Sequence, residues 1–462
     1  MTKKYLILSP EYSLKGYESS PVLMRVTDGL RFELQEGQFE FLSMCNGQRR
    51  GVDILKLFDV ESRPVAQVFH DELVKKGIVK KTEGPALRIL PNKLPPNRGL
   101  QIVHLEVRSS CNLRCVHCYQ GERYNKDENL TFAEIERLAE EMRELLVQGV
   151  SVSGGEPFLQ DDLFPMMKLF EDREIRIISV FTNAILLDEQ KIGNILKTRS
   201  NPTVFVSLDS ITVEGMRFRG LSQTNAKVAL ATILGNIQAL VASGISVVIN
   251  TVMNRLNIDT LPAMYNIVKS MGVKSWRIGY PKEMGYFKDV GAKEYGLSWV
   301  EMTNAAFSLL QHHFHEGRTF HLQIEYLYRE ELFGNLQALS DKDFVCDYED
   351  KRETCCIKPN GDVVSCAYCS DFPVGNVRKN SLAEIWYSSA MQQVKEIRIG
   401  DVEGCKDCEL RKYCATGCRA NAYFLHGDFY NSRDDYACQA VRFFVEVARP
   451  FLQKNGIPLE GL

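Results

Sequence analysis

The residues of this 462-residue chain with the clearest chemical potential are its 14 cysteines. Three stand together in the run CNLRCVHCY, ten lie between Cys346 and Cys438, and Cys45 is isolated. In an intracellular protein, close spacing of this kind points to metal or redox chemistry rather than to a disulfide framework. We therefore expect two metal-binding regions, one in each crowded segment.

The first group, Cys111, Cys115 and Cys118, has the spacing C-x3-C-x2-C and directly follows the apolar run QIVHLEV. Thiolates at such spacings hold iron–sulfur clusters. Three thiolates on a cube of four irons leave one iron without a protein ligand, and an open metal position can bind substrate or cofactor. The alternative is a zinc site, for which His117 is the local fourth ligand.

Strand and helix patterns place this group at the edge of a sheet. From Leu100 onward, six strand-like runs alternate with six helical stretches, which indicates parallel βαβ units. Thr131 and Glu134 have capping-box spacing at the start of the first helix. Such units form a partial barrel or an open doubly wound sheet, and both bind ligands at the carboxyl ends of their strands. The predicted strands are residues 101–107, 150–153, 175–183, 203–209, 245–252 and 274–280.

Polar residues and glycines follow the next three strands. Glycine permits close backbone approach to a ligand, and a carboxylate accepts hydrogen bonds from an ammonium group. Each of these residues, taken alone, would be an ordinary turn or helix cap. Together, at one edge of the sheet, they are candidate binding residues: Gly154, Gly155 and Glu156 in SGGEP, Asn183 after the third strand, and Ser207 and Asp209 in SLDS.

The CNLRCVHCY run resembles the signature of radical S-adenosylmethionine (SAM) enzymes, in which three cysteines hold a 4Fe-4S cluster. In that family the open iron binds SAM, and an electron from the cluster cleaves it to methionine and a 5′-deoxyadenosyl radical. The resemblance implies an α/β fold with a partial (β/α)6 barrel of the TIM type, and an electron donor such as flavodoxin or ferredoxin. It also implies that SAM contacts the candidate residues above, together with Arg219 at its carboxylate and Tyr119 over its adenine.

The second cysteine region resembles the SPASM domain, which carries auxiliary 4Fe-4S clusters in radical SAM enzymes that mature peptides and proteins. The resemblance implies one cluster at Cys405, Cys408, Cys414 and Cys438, and another at Cys346, Cys366 and Cys418. For the fourth ligand of the latter we favour Cys355 or Cys356 over Cys369, unless that iron stays open for substrate. A pair of zinc knuckles is the alternative. Ala367 stands where some relatives carry an acidic proton acceptor, so no general base is assigned.

These patterns divide the chain into five parts. Residues 1–90 resemble the winged-helix-like α+β leader-recognition element of ribosomal-peptide (RiPP) maturases, with a generic small α+β domain as the alternative. Regular periodicity is sparse beyond about residue 320, which predicts a fold that depends on metal. The other expected parts are a linker at 91–99, a radical SAM barrel at 100–318, a SPASM domain at 319–445 and a C-terminal tail at 446–462.

The resemblances imply a radical SAM enzyme that installs a cross-link, preferably a thioether, in a ribosomally made precursor peptide. One alternative is a maturase of a protein or enzyme cofactor, of the sulfatase-activating, quinone or haem type. Another is a zinc-ribbon binding protein. The net charge of −3 argues against a nucleic-acid partner. Because no apolar run approaches ~20 residues and no signal-peptide pattern is visible, we expect a cytoplasmic protein that does not span a membrane.

Overall fold

The N-terminal part of the computed structural model is a small α+β unit. The structure describes residues 4–96, 99–121, 126–329, 340–345, 353–414, 416–457 and 459. The unit consists of β1 (Tyr5–Leu8), β2 (Tyr12–Tyr17), β3 (Ser20–Arg25), β4 (Arg31–Glu33), α1 (Glu36–Met44), β5 (Asn46–Arg50), α2 (Gly51–Leu55), α3 (Arg63–Lys75) and β6 (Val79–Thr82). Its strands form two antiparallel sheets, ordered β5-β1-β6 and β2-β3-β4. Leu6, Phe41 and Leu42 are buried in its own core.

Arg88 attaches this unit to the rest of the chain. Its guanidinium donates hydrogen bonds of 2.6 Å to the backbone oxygens of Leu8, Ser9 and Tyr12. The same side chain is paired with Glu174, with 2.5 Å between the charged atoms. Because Glu174 precedes a strand of the following domain, one cation holds the N-terminal unit against that domain.

The central part is a parallel sheet flanked by helices. Its strands are β7 (Ile102–Glu106), β8 (Gly149–Ser153), β9 (Arg176–Thr182), β10 (Thr203–Ser207), β11 (Val247–Val252), β12 (Ser275–Gly279) and β13 (His321–Ile324). Each pairs in parallel with its neighbour along the chain. All six predicted strands are confirmed within two residues of their expected bounds, and β13 is a further strand that the sequence analysis missed. The result is the expected partial barrel.

Helices cover the outer face of this sheet. They are α4 (Phe132–Glu144), α5 (Leu163–Asp172), α6 (Glu189–Leu196), α7 (Gln223–Ala242), α8 (Leu261–Ser270), α9 (Ala292–Tyr295) and α10 (Trp299–His315). The capping box of α4 is confirmed, since the Thr131 hydroxyl accepts from the Glu134 N–H at 3.3 Å and the Glu134 carboxylate accepts from the Thr131 N–H at 2.8 Å. Alternate strand residues such as Val103 and Leu105 pack with these helices in one apolar core.

Among the described residues, one helix, α7, is long and apolar enough to cross a membrane by length and composition alone. In the structure its side chains Ala226, Ile233, Ile237 and Leu240 are fully buried in the apolar core that also contains the barrel strands. Its apolar character is therefore accounted for by packing within the protein.

The C-terminal part continues the same sheet. Its strands are β14 (Tyr328–Arg329), β15 (Thr354–Ile357), β16 (Asp362–Val364) and β17 (Gly375–Asn376), and its helices are α11 (Leu382–Trp386), α12 (Ser389–Lys395), α13 (Arg411–Cys414), α14 (Arg419–His426), α15 (Asp435–Phe443) and α16 (Arg449–Lys454). β15 lies parallel to β7, so the two parts share one sheet. Periodicity is sparse in this part of the sequence because these helices have nine residues or fewer.

The segment expected to be a C-terminal tail also has fixed structure. α16 lies within it, and Leu452 and Leu459 are buried in the main apolar core. Residues 446–462 therefore help to cover the barrel as far as the structure describes them.

Candidate active site

The loop after β7 brings Cys111, Cys115 and Cys118 together at the carboxyl end of the barrel. The Cys118 N–H donates to the Cys115 carbonyl at 3.1 Å, and the Leu113 N–H donates to the Cys111 sulfur at 3.4 Å. Burial, together with the charges of Cys115 and Cys111, raises the pKa of the Cys118 thiol to about 12. Thiols this buried stay protonated at neutral pH unless a metal displaces the protons. The three sulfurs therefore fit a site that is completed by a metal cluster.

The loop fits an iron–sulfur cluster better than zinc. In the part of the chain that the structure describes, no three His, Cys, Asp or Glu side chains lie close enough to hold one metal ion. Zinc needs each sulfur at ~2.3 Å, whereas a cube of irons binds each thiolate at a separate corner. His117, the fourth ligand in the zinc interpretation, stacks on Phe218 with 4.3 Å between the rings. Its Nε2 lies 3.4 Å from Asp209 Oδ2.

Glu156 follows β8 and lies beside this loop, where residues at the end of β9 hold its carboxylate. Its carboxylate accepts from the Thr182 hydroxyl at 2.7 Å and from the Asn183 N–H at 2.8 Å. The Asn183 amide in turn donates to Asn112 at 2.8 Å and approaches the Cys111 sulfur at 3.9 Å. Burial raises the pKa of Glu156 to about 7. The structure thus brings two of the sequence-predicted residues, Glu156 and Asn183, to the cysteine loop.

The two predicted glycines let this loop approach the cysteine loop closely. A Cβ atom on Gly155 would lie 2.3 Å from the carbonyl oxygens of Ser109 and Ser110, and one on Gly154 would lie 2.5 Å from that of Arg108. No side chain fits at such distances. The glycines are therefore required by contact with the backbone that leads into Cys111, in addition to any contact with a ligand.

Arg219 and Asp209 form a buried ion pair on the other side of the loop. Arg219 Nη1 donates to Asp209 Oδ2 at 2.7 Å, and Asp209 Oδ1 accepts from the Val252 N–H at 2.8 Å. Arg219 is 4% exposed, and its Nε is buried without a hydrogen-bond partner. A buried N–H of this kind is costly unless an acceptor meets it. A ligand carboxylate would satisfy it.

The last two predicted residues lie at different places. Ser207 ends β10 and is half-buried, next to Asn250 of β11 in the strand register. The Tyr119 hydroxyl donates to Glu106 at 2.8 Å, and its ring meets Tyr368 edge-on at 5.3 Å. Tyr119 therefore stands between the two cysteine-rich regions, and its expected place over adenine stays a prediction.

A buried ion pair that the sequence analysis missed joins those two regions. Lys358 Nζ donates to Glu106 at 2.7 Å and to the carbonyl of Ala367 at 2.8 Å. Gln120 also donates to Glu106, at 3.1 Å. Glu106 is 1% and Lys358 7% exposed. The only sign of this pair in the sequence is the charged Glu106 at the end of an apolar strand, and its partner Lys358 lies about 250 residues further along the chain.

The second cysteine region gathers into two sets. In one, Cys405, Cys408, Cys414 and Cys438 are near neighbours whose charges act on one another. Burial raises the pKa of Cys414 to about 12 and that of Cys405 to about 11. These are the four residues expected to share one auxiliary cluster, and the structure brings them together.

In the other set, Cys366, Cys369 and Cys418 come together. Cys346 lies outside the described residues. Of the two favoured fourth ligands, Cys356 lies near this set, since its charge interacts with that of Cys366, and Cys355 lies apart from it. Cys355 is in the apolar core with the barrel residues, and the Cys356 sulfur is 3.7 Å from Glu106.

A cleft opens between the barrel loops and the second cysteine region. It has a volume of about 470 Å³. Its walls come from the residues after Cys118, the loop after β12, the residues after Cys366 and helix α14, and they include Tyr119, Gln120, Met284, Gly285, Tyr368 and Phe424. A substrate in this cleft would lie between the first cysteine loop and the second region.

Comparison with known families matches both regions. The model described as the radical SAM superfamily matches residues 105–268, and the SPASM model, described as an iron-sulfur cluster-binding domain, matches residues 346–409. The chain carries a radical SAM domain and a SPASM domain. It is an enzyme, and its cofactors are 4Fe-4S clusters and SAM.

Two curated relatives each align with about 70% of this chain. An AdoMet-dependent heme synthase of Methanosarcina barkeri is 24% identical over 351 residues, which covers 71% of this chain and 94% of the relative. A PqqA peptide cyclase of Granulibacter bethesdensis is 26% identical over 341 residues, covering 70% of this chain and 83% of the relative.

Solved structures share the fold. SuiB of Streptococcus suis bound to its precursor peptide SuiA has a TM-score of 0.66 at 15% identity, covering 94% of this chain and 99% of SuiB. The protein anSMEcpe with bound AdoMet and a peptide has a TM-score of 0.58 at 18% identity, and the match covers 77% of this chain and 98% of the anSMEcpe chain. The likeness to SuiB therefore includes the N-terminal unit ahead of the radical SAM domain.

The raised pKa of Glu156 leads to a prediction for SAM binding. An ionised carboxylate accepts a stronger hydrogen bond from an ammonium group than a neutral one does. With a pKa of about 7, Glu156 is mostly ionised at pH 8 and mostly protonated at pH 6. We expect the affinity for SAM, measured by equilibrium dialysis, to be about tenfold higher at pH 8 than at pH 6.

The variant Glu156→Gln is the matched test. It should bind SAM about tenfold more weakly than the wild type at pH 8, with little change at pH 6. A Glu156→Gln enzyme that keeps the full pH dependence would show that another group is responsible.

Proposed function

We propose that this enzyme is a peptide maturase that uses SAM-derived radical chemistry to install a cross-link in a ribosomally made precursor peptide. The observation that carries the proposal is an N-terminal unit with an unpaired strand edge, fixed beside the barrel by Arg88. A separate binding unit of this kind suits a substrate that has a recognition segment as well as a reacting segment.

The unpaired edge belongs to β4. All three of its residues are exposed, and within the described residues its outer side pairs with no strand. On its inner side the Leu34 N–H donates to the carbonyl of Pro21 on β3 at 2.9 Å. Because such bonds involve alternate residues of an antiparallel pair, Arg31 and Glu33 direct their backbone groups outward. An extended leader peptide could add there as a fourth strand.

The cofactors would be held by the residues described above. Cys111, Cys115 and Cys118 would bind the cluster that contacts SAM, with Glu156 toward the SAM amino group and Arg219 toward its carboxylate. When bound, the clusters supply the electron that cleaves SAM and an acceptor for the electron released as the new bond forms. The cleft between the two domains would hold the reacting segment of the peptide.

We propose a thioether as the cross-link. Ala367 supplies no carboxylate next to Cys366, so an oxidation that depends on a base at that position lacks its proton acceptor. A cysteine thiol of the substrate, with a pKa of about 8.5, loses its proton far more readily than carbon does. The cross-linked peptide would lack one hydrogen atom taken from carbon and one proton lost from sulfur.

Mass spectrometry tests the proposal. Full-length enzyme, SAM and a reductant are incubated with the small peptide encoded beside the enzyme, and the product is treated with iodoacetamide. We expect a mass lower by two hydrogens per link and one unalkylated cysteine per link. If two hydrogens are lost while every cysteine is alkylated, the bond is carbon–carbon or an ether. If the peptide is unchanged although SAM is cleaved, that peptide is not the substrate.

A maturase of an enzyme cofactor is the second candidate, because the heme synthase aligns over 94% of its own length. Conversion of a haem precursor in the absence of any peptide would favour it. Either function fits a soluble protein with a flavodoxin or ferredoxin as electron donor, and we propose the cytoplasm as its location.

A further inference from the structure

We propose that Cys369 is a ligand of the first auxiliary cluster, together with Cys366 and Cys418. This inference rests on the SPASM domain and does not depend on the proposed peptide substrate. The Cys369 thiol is hydrogen-bonded to that of Cys366, and both lie near Cys418. The Cys369 N–H donates to the Cys366 carbonyl at 2.8 Å. This tight C-x2-C turn directs both sulfurs to the same side, as in many iron–sulfur ligand pairs.

The positions of Cys355 and Cys356, the fourth ligands favoured in the sequence analysis, argue against that role for them. Successive side chains of a strand point to opposite faces, so Cys355 and Cys356 on β15 cannot both face the cluster. Cys355 is 1% exposed within the barrel core. The charged group that acts on the Cys355 thiol is the ammonium of Lys395 rather than another cysteine of the set.

The Cys356 side chain lies toward Cys366, but its sulfur contacts a carboxylate. Its sulfur lies 3.7 Å from Glu106 Oε1, a carboxylate that is already paired with Lys358. The nearby Lys358 ammonium would favour a thiolate at Cys356, but that ammonium is already paired with Glu106, whose own negative charge opposes the thiolate. Cys369 meets no carboxylate in the described contacts, and it lies in the turn that begins at Cys366.

The assignment changes what the first auxiliary site offers to a substrate. With the Cys369 sulfur bound to iron, a thiol of the chain occupies a position that a substrate sulfur would need. A substrate cysteine would then remain a free thiol in the cleft, and its sulfur would have to be positioned by contacts such as those of Tyr368. Cross-link formation would not require substrate sulfur to bind iron.

Electron paramagnetic resonance tests the assignment without relying on turnover. The starting protein carries Cys111→Ala, Cys115→Ala and Cys118→Ala, so that only auxiliary clusters contribute. Into it we would introduce Cys369→Ala, with Cys355→Ala and Cys356→Ala as matched controls. Reduced spectra and iron contents are recorded with and without added β-mercaptoethanol, which binds an iron that has lost its thiolate.

We expect Cys369→Ala alone to lower the iron content or to make the spectrum sensitive to β-mercaptoethanol. Cys369→Ser, which keeps a weaker oxygen ligand, should retain the iron and shift the spectrum. This variant replaces Cys369→Ala in the test if the alanine variant does not fold. The proposal is overturned if both Cys369 variants match the parent spectrum and do not respond to the thiol. It is also overturned if Cys356→Ala or Cys355→Ala shows the response instead.

Discussion

Replacing Cys111, Cys115 and Cys118 together with alanine is expected to abolish reductive cleavage of SAM. The three sulfurs converge at the carboxyl end of β7, between Glu156 and Arg219, and no other described cysteine lies beside these residues. Production of 5′-deoxyadenosine with dithionite should fall to background. With three clusters of four irons each, iron should fall from about twelve to about eight per chain.

The control is Cys45→Ala. Cys45 is fully buried in the N-terminal core, and its thiol donates to the Phe41 carbonyl at 3.4 Å. Because it is remote from both cysteine regions, its replacement should leave the iron content and SAM cleavage unchanged. If the triple variant still cleaves SAM, the open iron is held elsewhere and the assignment of this loop is wrong.

Replacing Glu33 with proline should weaken binding of the precursor peptide by about thirtyfold, or ~2 kcal/mol. Proline removes the outward N–H of β4 that an added strand would use, while the ladder to β3 depends on neighbouring residues. The measurement is fluorescence anisotropy of a labelled precursor titrated with full-length enzyme. SAM cleavage without peptide should be unchanged, because Glu33 lies in the N-terminal unit.

The matched control is Glu33→Ala, which removes the charge and keeps the N–H. We expect its affinity to stay within about threefold of the wild type. Equal losses for both variants would indicate recognition by the Glu33 side chain rather than by strand addition. If neither variant changes affinity, the leader binds at another surface.

Local pattern was sufficient to predict the barrel. Each of its first six strands is an apolar run followed by an amphipathic helix, and the chemistry-bearing residues stand directly after the strands. β13 and β15 have four residues each and lie in or near the cysteine region, where turns interrupt the periodicity. Short strands of this kind are recognisable only through the neighbours with which they pair.

The candidate site could be predicted only where the spacing of cysteines along the sequence indicates which of them share a cluster. Spacing identified the three cysteines of the first loop, and the resemblance to the SPASM domain implied the set that contains Cys405. Spacing could not identify the fourth ligand near Cys366, because that choice depends on the direction of each side chain. Nor could it reveal that Glu106 and Lys358 form an ion pair, since these residues are joined only when β15 aligns with β7.

The Glu106–Lys358 pair also bears on how a substrate enters. Glu106 belongs to the barrel and Lys358 to the cysteine-rich part, and both are buried where the two meet. Moving those parts away from each other would break this buried ion pair, so we expect them to stay together when a substrate binds. The cleft between the two parts should therefore keep its width when a substrate enters. A cleft of about 470 Å³ has room for a short extended peptide segment, and we expect it to exclude a folded domain.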